Sequence, residues 1–199
     1  MSGVNYPKGI KPIAPSTAKK KHAKRQSALG FGNRGMDFEA AINDSNQYYL
    51  EQELMVVYKR PTPINIVTVD YSKGAIITKA YFEAQSTTDY NGVYQGHYID
   101  FEAKSTRNKT SFPLSNINKQ QIEHIKRVLA SKGWAFFLID FTLLNEVYLL
   151  HGEYVVRFYE ERKRASIPLE DVRAHGKLIK EGFHPRYDYM PAMLEVFDR

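Results

Sequence analysis

The sequence predicts an α/β chain whose mixed central β-sheet is flanked by helices, with a basic tail in front. Three observations carry that reading. Residues 134–141 form a near-continuous apolar run of the kind shown by a strand buried on both faces. Residues 118–129 place Ile122, Ile125, Val128 and Leu129 at helical spacing, ending near Gly133. Residues 86–104 alternate polar and apolar side chains about Gln95-Gly96, the pattern of a tight hairpin.

At 199 residues the chain is expected to form one domain with an appendage, and it is long enough for a substantial core. It contains no cysteine, which excludes disulfides and thiolate metal sites and agrees with a reducing cytoplasm. No apolar run approaches the ~20 residues of a membrane-spanning helix, and the N-terminus lacks the apolar stretch of a signal peptide. The net charge of +6 is uneven. Residues 1–36 carry eight Lys and Arg and no acid, whereas the rest of the chain holds 20 bases and 22 acids. The expected boundary separates a flexible basic tail, 1–32, from a folded domain, 33–199. Lys19, Lys20, Lys21, Lys24 and Arg25 form a compact cluster, with Arg34 beyond it. They suit a phosphate-binding arm; the competing reading is a solubilising leader.

After the tail, residues 35–42 read as a helix, with Asn33 as N-cap and with Asp37 and Glu39 at the positive end of its dipole. A strand is expected over 54–58, followed by Lys59-Arg60-Pro61-Thr62-Pro63. Strands over 64–69 and 75–82 flank the turn residues 70–74. The hairpin follows, and then the 118–129 helix, where Asn118 and Gln121 have capping-box spacing. Strands over 134–141 and 147–150 precede two amphipathic helices, 154–162 and 169–179, laid over the sheet.

The hairpin concentrates the chemistry. If Gln95-Gly96 form a two-residue turn, residues whose numbers sum to 191 face each other, so Asp89 opposes Glu102 and Thr87 opposes Lys104. Directly opposed residues have Cβ atoms about 4.5–5.5 Å apart. One face then carries Tyr90, Tyr94, Ile99, Phe101 and Ala103, and the other Asp89, Asn91, Asp100, Glu102 and Lys104. A slip of one residue would bury the charges and expose the aromatics, which disfavours any other register. Two carboxylates at about 5 Å in an effective dielectric of about 20 repel by roughly 3 kcal/mol, a cost that a hard divalent ion removes. The same spacing also suits a plain Glu102–Lys104 ion pair at a solvated surface. None of the six histidines falls in a zinc-protease spacing, and no phosphate loop or serine-nucleophile elbow occurs.

Asp89, Glu102-Ala103-Lys104 and Glu39 resemble the PD-(D/E)xK nuclease superfamily. More narrowly, the chain resembles the RecU-type Holliday-junction resolvases. The likeness lies in Asn33-Arg34-Gly35-Met36, in Lys59 through Ile64, in Glu83 through Lys104, in Lys109 through Leu114 and in Gln121-Ile122-Glu123-His124. It runs in order over about residues 33–190. Thr88 stands where the superfamily usually has proline.

The resemblance implies a restriction-endonuclease-like core with a projecting β stalk over about residues 59–81. It implies Mg²⁺, with Mn²⁺ able to substitute, held by Thr87, Asp89, Glu102 and Gln121. The catalytic residues would be Asp89, Glu102 and Lys104, with Lys104 stabilising the transition state. Lys59, Arg60, Tyr81 and Phe82 are candidate DNA contacts on the stalk, although Tyr81 and Phe82 equally suit a core. The implied activity is symmetric nicking of two opposing strands of a four-way junction by a homodimer, in homologous recombination and DNA repair. A recombinase and a branch-migration helicase are candidate partners, no membrane is involved, and the implied location is cytoplasmic and nucleoid-associated. Two rival readings use the same residues: a non-catalytic module that binds branched DNA, and an endonuclease for linear duplexes.

Overall fold

The computed structural model describes residues 33–72, 74–83, 87–161 and 163–197. The tail residues Lys19, Lys20, Lys21, Lys24 and Arg25 lie outside the described residues, as does the Arg34 side chain.

A six-stranded sheet forms the centre. Its strands are β1 (Val56–Lys59), β4 (Tyr90–Tyr94), β5 (His97–Thr106), β7 (Trp134–Phe141), β8 (Glu146–His151) and β10 (Lys177–Ile179), in that spatial order. β5 and β7 pair in parallel and every other neighbouring pair is antiparallel, so the sheet is mixed. The parallel pair requires a crossover, and α2 (Lys119–Ala130) supplies it. One face of the sheet packs on α1 (Asn33–Glu51) and α5 (Met190–Phe197), through Phe38, Ile42, Tyr49, Phe101, Phe136 and Met193. The other face packs on α2, α3 (Gly152–Glu161) and α4 (Leu169–His175), through Ile122, Ile125, Phe137, Ile139, Val155 and Val172. Alternate residues of β7 serve the two cores, which is why its sequence is apolar almost throughout. The short strands β6 (Ser111–Pro113) and β9 (Ser166–Pro168) pair with each other at the sheet's margin.

The hairpin register is as the alternation predicted. Tyr90 pairs with Phe101, Asn91 with Asp100 and Tyr94 with His97. Gln95 and Gly96 have φ of 46° and 84°, both positive, as a type I′ turn requires. Outside β4 lies β1, and Gly92 makes that approach possible: a Cβ there would sit 2.1 Å from the Val56 carbonyl oxygen.

β2 (Ile64–Asp70) and β3 (Ile76–Phe82) form a separate two-stranded ribbon. Every residue of the pair except Val69 is exposed. Tyr81 and Phe82, at 60 % and 80 % exposure, are therefore not core residues.

The structure departs from the sequence expectations at three places. The first helix continues to Glu51, well past Ile42. Its polar second half is held by tertiary contacts: buried Asn46 and Tyr49 engage Tyr189 and Asp188, while the buried Ser45 hydroxyl is satisfied by donating to the Ala41 carbonyl at 2.9 Å. The helix expected over 169–179 stops at His175; Gly176 lies against the Val172 carbonyl, and residues 177–179 form the edge strand β10. The polar face of the hairpin is only partly solvated: α2 covers Asp100 and Glu102, which are fully buried, while Asp89, Asn91 and Lys104 stay half-buried.

Candidate active site

The chemistry gathers where three segments meet: residues 87–89 leading into β4, the middle of β5, and the first turns of α2. β5 alternates, so Asp100, Glu102 and Lys104 share one face, while Ile99, Phe101 and Ala103 enter the core opposite. One residue beyond the last pair of the ladder, the Asp89 backbone N–H donates to Glu102 Oε2 at 3.0 Å.

Glu102 accepts two further donors on Oε1, Gln121 Nε2 at 2.7 Å and Lys104 Nζ at 2.5 Å. Even so, its carboxyl is pushed up to about 8. Burial is the main cause; the Lys104 ammonium works against it, and the neighbouring Asp89 carboxylate adds to it. The surface ion pair weighed for Glu102 and Lys104 exists as a contact, but its acid is buried and only 24 % of the lysine side chain is exposed.

Gln121 performs two jobs. Its Oε1 accepts the Asn118 N–H at 3.0 Å and completes the capping box, while its Nε2 donates to Glu102. The orientation of the amide follows from these partners, because a backbone N–H can only donate. Gln121 thus turns a nitrogen toward the site, and its oxygen would face a cation only if the amide turned over and released the cap.

Asp89 and Glu102 are hard oxygen donors, and residues 87–89 lie partly open to solvent around a buried Thr88. Among the described residues no three His, Cys, Asp or Glu side chains converge as a metal set. Two carboxylates and an adjacent threonine, with water completing the shell, are what Mg²⁺ takes, since it binds through one or two carboxylates and keeps several waters. The donor set fits that ion.

A second buried carboxylate, Asp100, lies two residues before Glu102 and has no counterpart among the expected site residues. Thr88 Oγ1 donates to its Oδ1, while Arg60 Nη2 at 2.7 Å, the Tyr98 hydroxyl at 2.9 Å and His124 Nε2 at 3.0 Å gather on its Oδ2. Burial opposes its charge, but His124, Thr88 and Arg60 together outweigh burial and hold it below the usual carboxylate range. The signal was present in the sequence: Asp100 is two residues from Glu102 on one strand face, and His124 is three from Gln121 on one helix face.

The remaining expected residues divide. Glu39 reaches toward the site from α1 and pairs with Lys59, so that lysine's ammonium is engaged within the protein. Tyr90 records how near Glu39 lies: burial first, then the charges of Glu39, Asp89 and Glu102, push its phenol up. Arg60 is likewise engaged, with Asp100, Thr88 and Tyr98. Tyr81 and Phe82 stand away from this cluster on the exposed ribbon.

A mixed sheet whose central hairpin carries two acids and a lysine is the arrangement that the PD-(D/E)xK resemblance implies. The family model for Recombination protein U (RecU) matches residues 33–195. The chain is 46 % identical over 201 residues to the Holliday junction resolvase RecU of Bacillus cytotoxicus, covering 98 % of this chain and 96 % of that protein. It is 45 % identical over 199 residues to the proteins of that name from Bacillus mycoides and Bacillus cereus, covering 98 % of each partner in both comparisons. This chain belongs to the RecU family.

Proposed function

We infer that this protein is a Holliday-junction-resolving endonuclease that hydrolyses phosphodiesters with Mg²⁺ at Asp89 and Glu102. The observation that carries the chemistry is the buried Glu102 carboxylate, with the Asp89 N–H and Lys104 Nζ both directed at it. Membership of the RecU family supports the choice of substrate. Asp89, Glu102 and Thr87 hold the ion, and Gln121 orients Glu102 through its amide N–H. Bound Mg²⁺ supplies Lewis-acid polarisation of the phosphate and a water of lowered pKa. Lys104 is a compact cation on a flexible stem. The Lys104 ammonium, 2.5 Å from Glu102 Oε1, would stand beside a bound phosphate and stabilise the charge that develops on its oxygens.

The β2–β3 ribbon offers the unpaired bases at a junction centre two aromatic faces, Tyr81 and Phe82. A second copy suits the two-fold symmetry of the substrate. The exposed apolar row Val56, Val93 and Tyr98, on adjacent positions of β1, β4 and β5, gives it a surface to cover. The deciding experiment compares a synthetic four-way junction with a matched linear duplex, at equal salt, in Mg²⁺ and in chelator. Preferential, Mg²⁺-dependent cutting of the junction is expected. Equal cutting of both would make the protein a duplex nuclease, and binding without cutting in any divalent ion would make it an architectural module.

A further inference from the structure

Arg60 sits at the root of the exposed ribbon, where β1 gives way to Pro61-Thr62-Pro63 and β2. The other leg of the ribbon returns beside it, with the Glu83 N–H donating to the Pro63 carbonyl at 3.0 Å. From this position Arg60 holds the 87–89 segment at successive points. Its backbone N–H donates to the Asp89 carbonyl at 2.7 Å, one step beyond the last pair of the β1–β4 ladder. Its Nη1 donates to the Thr88 carbonyl at 3.0 Å and to Thr88 Oγ1 at 2.6 Å.

The guanidinium is itself fixed. Nη2 donates to Asp100 Oδ2 and, at 2.8 Å, to the Tyr98 hydroxyl. Asp100 is fully buried, and its other oxygen accepts Thr88 Oγ1. The planar five-donor fork of arginine is what allows one side chain to serve a carboxylate, a phenol and a carbonyl together; a lysine ammonium cannot span them. Asp89 is thereby gripped on both sides of its Cα. Its N–H goes to Glu102 and its carbonyl accepts the backbone N–H of Arg60, while the guanidinium holds the preceding residue, Thr88.

We propose that Arg60 is a positioning residue for the metal site: anchored on Asp100, it fixes the backbone of Thr88 and Asp89, and so sets where the Asp89 carboxylate stands relative to Glu102. The Arg60 side chain acts on Asp89 through Thr88, the residue before it, and touches neither cation nor DNA. This role rests on the nuclease reading above. It differs from the phosphate contact that the Lys59-Arg60 pair suggests in the sequence, because the fork faces inward and its side chain is only 18 % exposed. Partners that orient a metal's ligands typically change metal affinity or activity by about 10- to 100-fold when lost. A backbone error of about 1 Å at reacting groups has a similar cost, on the order of 10²-fold.

The test uses the full chain with Arg60→Met and Arg60→Lys, each compared with wild type. Mn²⁺ binding is titrated by electron paramagnetic resonance in the absence of DNA, junction affinity is measured in Ca²⁺, and junction cleavage is followed against Mg²⁺ concentration. Arg60→Met is expected to weaken Mn²⁺ binding and to raise the Mg²⁺ needed for half-maximal cleavage by about 10- to 100-fold, with junction affinity unchanged. Arg60→Lys retains the charge without the fork and should follow Arg60→Met. It also stands in should the methionine variant fail to fold. Restoration by lysine would overturn the proposal, as would unchanged Mn²⁺ binding with a loss of junction affinity, which would make Arg60 a DNA contact. If wild type binds Mn²⁺ but cuts no junction, the nuclease reading fails, while the Mn²⁺ titration still decides whether Arg60 positions the site.

Discussion

The Asp89 backbone N–H donates to the Glu102 carboxylate at 3.0 Å across the mouth of the β4–β5 hairpin. One acid is thus held by the backbone of the other, which keeps the two residues side by side. Ionising Glu102 therefore sets a second negative charge beside Asp89, and burial of Glu102 increases the cost.

Stability without metal should therefore depend on pH in a particular direction. Glu102 titrates near 4.5 when unfolded and about 8 when folded, so the folded state holds the proton more tightly. Below the lower value both states are protonated and nothing is lost. As pH rises from about 5 to about 8 the unfolded state ionises first, and stability falls across that window. Thermal denaturation in chelator should show this fall in wild type and a flatter profile in Glu102→Gln. Mg²⁺ should restore wild type most at the upper end. A wild-type profile parallel to that of Glu102→Gln would mean that Glu102 is not strained.

Gln121 links the helix cap to the site, so truncating it should cost more than an ordinary cap. Gln121→Ala strips Glu102 of a buried donor and leaves the Asn118 N–H without its acceptor. The expected loss is about 1–3 kcal/mol in chelator, measured by chemical denaturation. Gln121→Glu should restore the cap while placing a third carboxylate beside Glu102, and so become strongly dependent on divalent ion for its stability. Indifference of that variant to Mg²⁺ would count against a cation at Glu102.

The ribbon aromatics should separate binding from folding. Phe82→Ala and Tyr81→Ala remove exposed rings, so stability should move by no more than about 0.5 kcal/mol. If the rings stack on bases, each substitution weakens junction binding by about 1–3 kcal/mol. Fluorescence anisotropy with a labelled junction measures this. Unchanged affinity in both variants would leave the exposed pair without a role in DNA binding.

The basic tail is testable through salt. Removing residues 1–32 takes away seven of the eight bases in the first 36 residues, leaving Arg34. If they neutralise phosphates, the slope of log affinity against log salt becomes shallower by about 0.9 for each phosphate no longer neutralised. An unchanged slope would assign the tail to solubility.

Much of this architecture is legible in the sequence because it follows from local periodicity. The 134–141 strand, the 118–129 helix and the 191 register follow from alternation and turn chemistry, which tertiary packing then reinforces. What escaped depends on distant partners. The second half of α1 is polar in composition, and its helicity is completed by Tyr189 and Asp188 from the far end of the chain. β10 exists because the edge of β8 was available to pair with it. Alternation also showed that Asp100 and Glu102 share a face, but not that α2 would bury that face. The inward turn of Arg60 was hidden for the same reason, because its partners lie 28 to 40 residues away in sequence.

The most direct test of the central claim is cleavage of a four-way junction followed against Mg²⁺ concentration, with wild type, Asp89→Asn and Glu102→Gln side by side and junction binding measured on the same samples. Wild type should cut opposing strands only with the divalent ion, and both variants should bind the junction yet lose cutting by at least about 10²-fold. Cutting by either variant at the wild-type rate, or by wild type in chelator, would contradict the assignment of Asp89 and Glu102 as the pair that holds the metal.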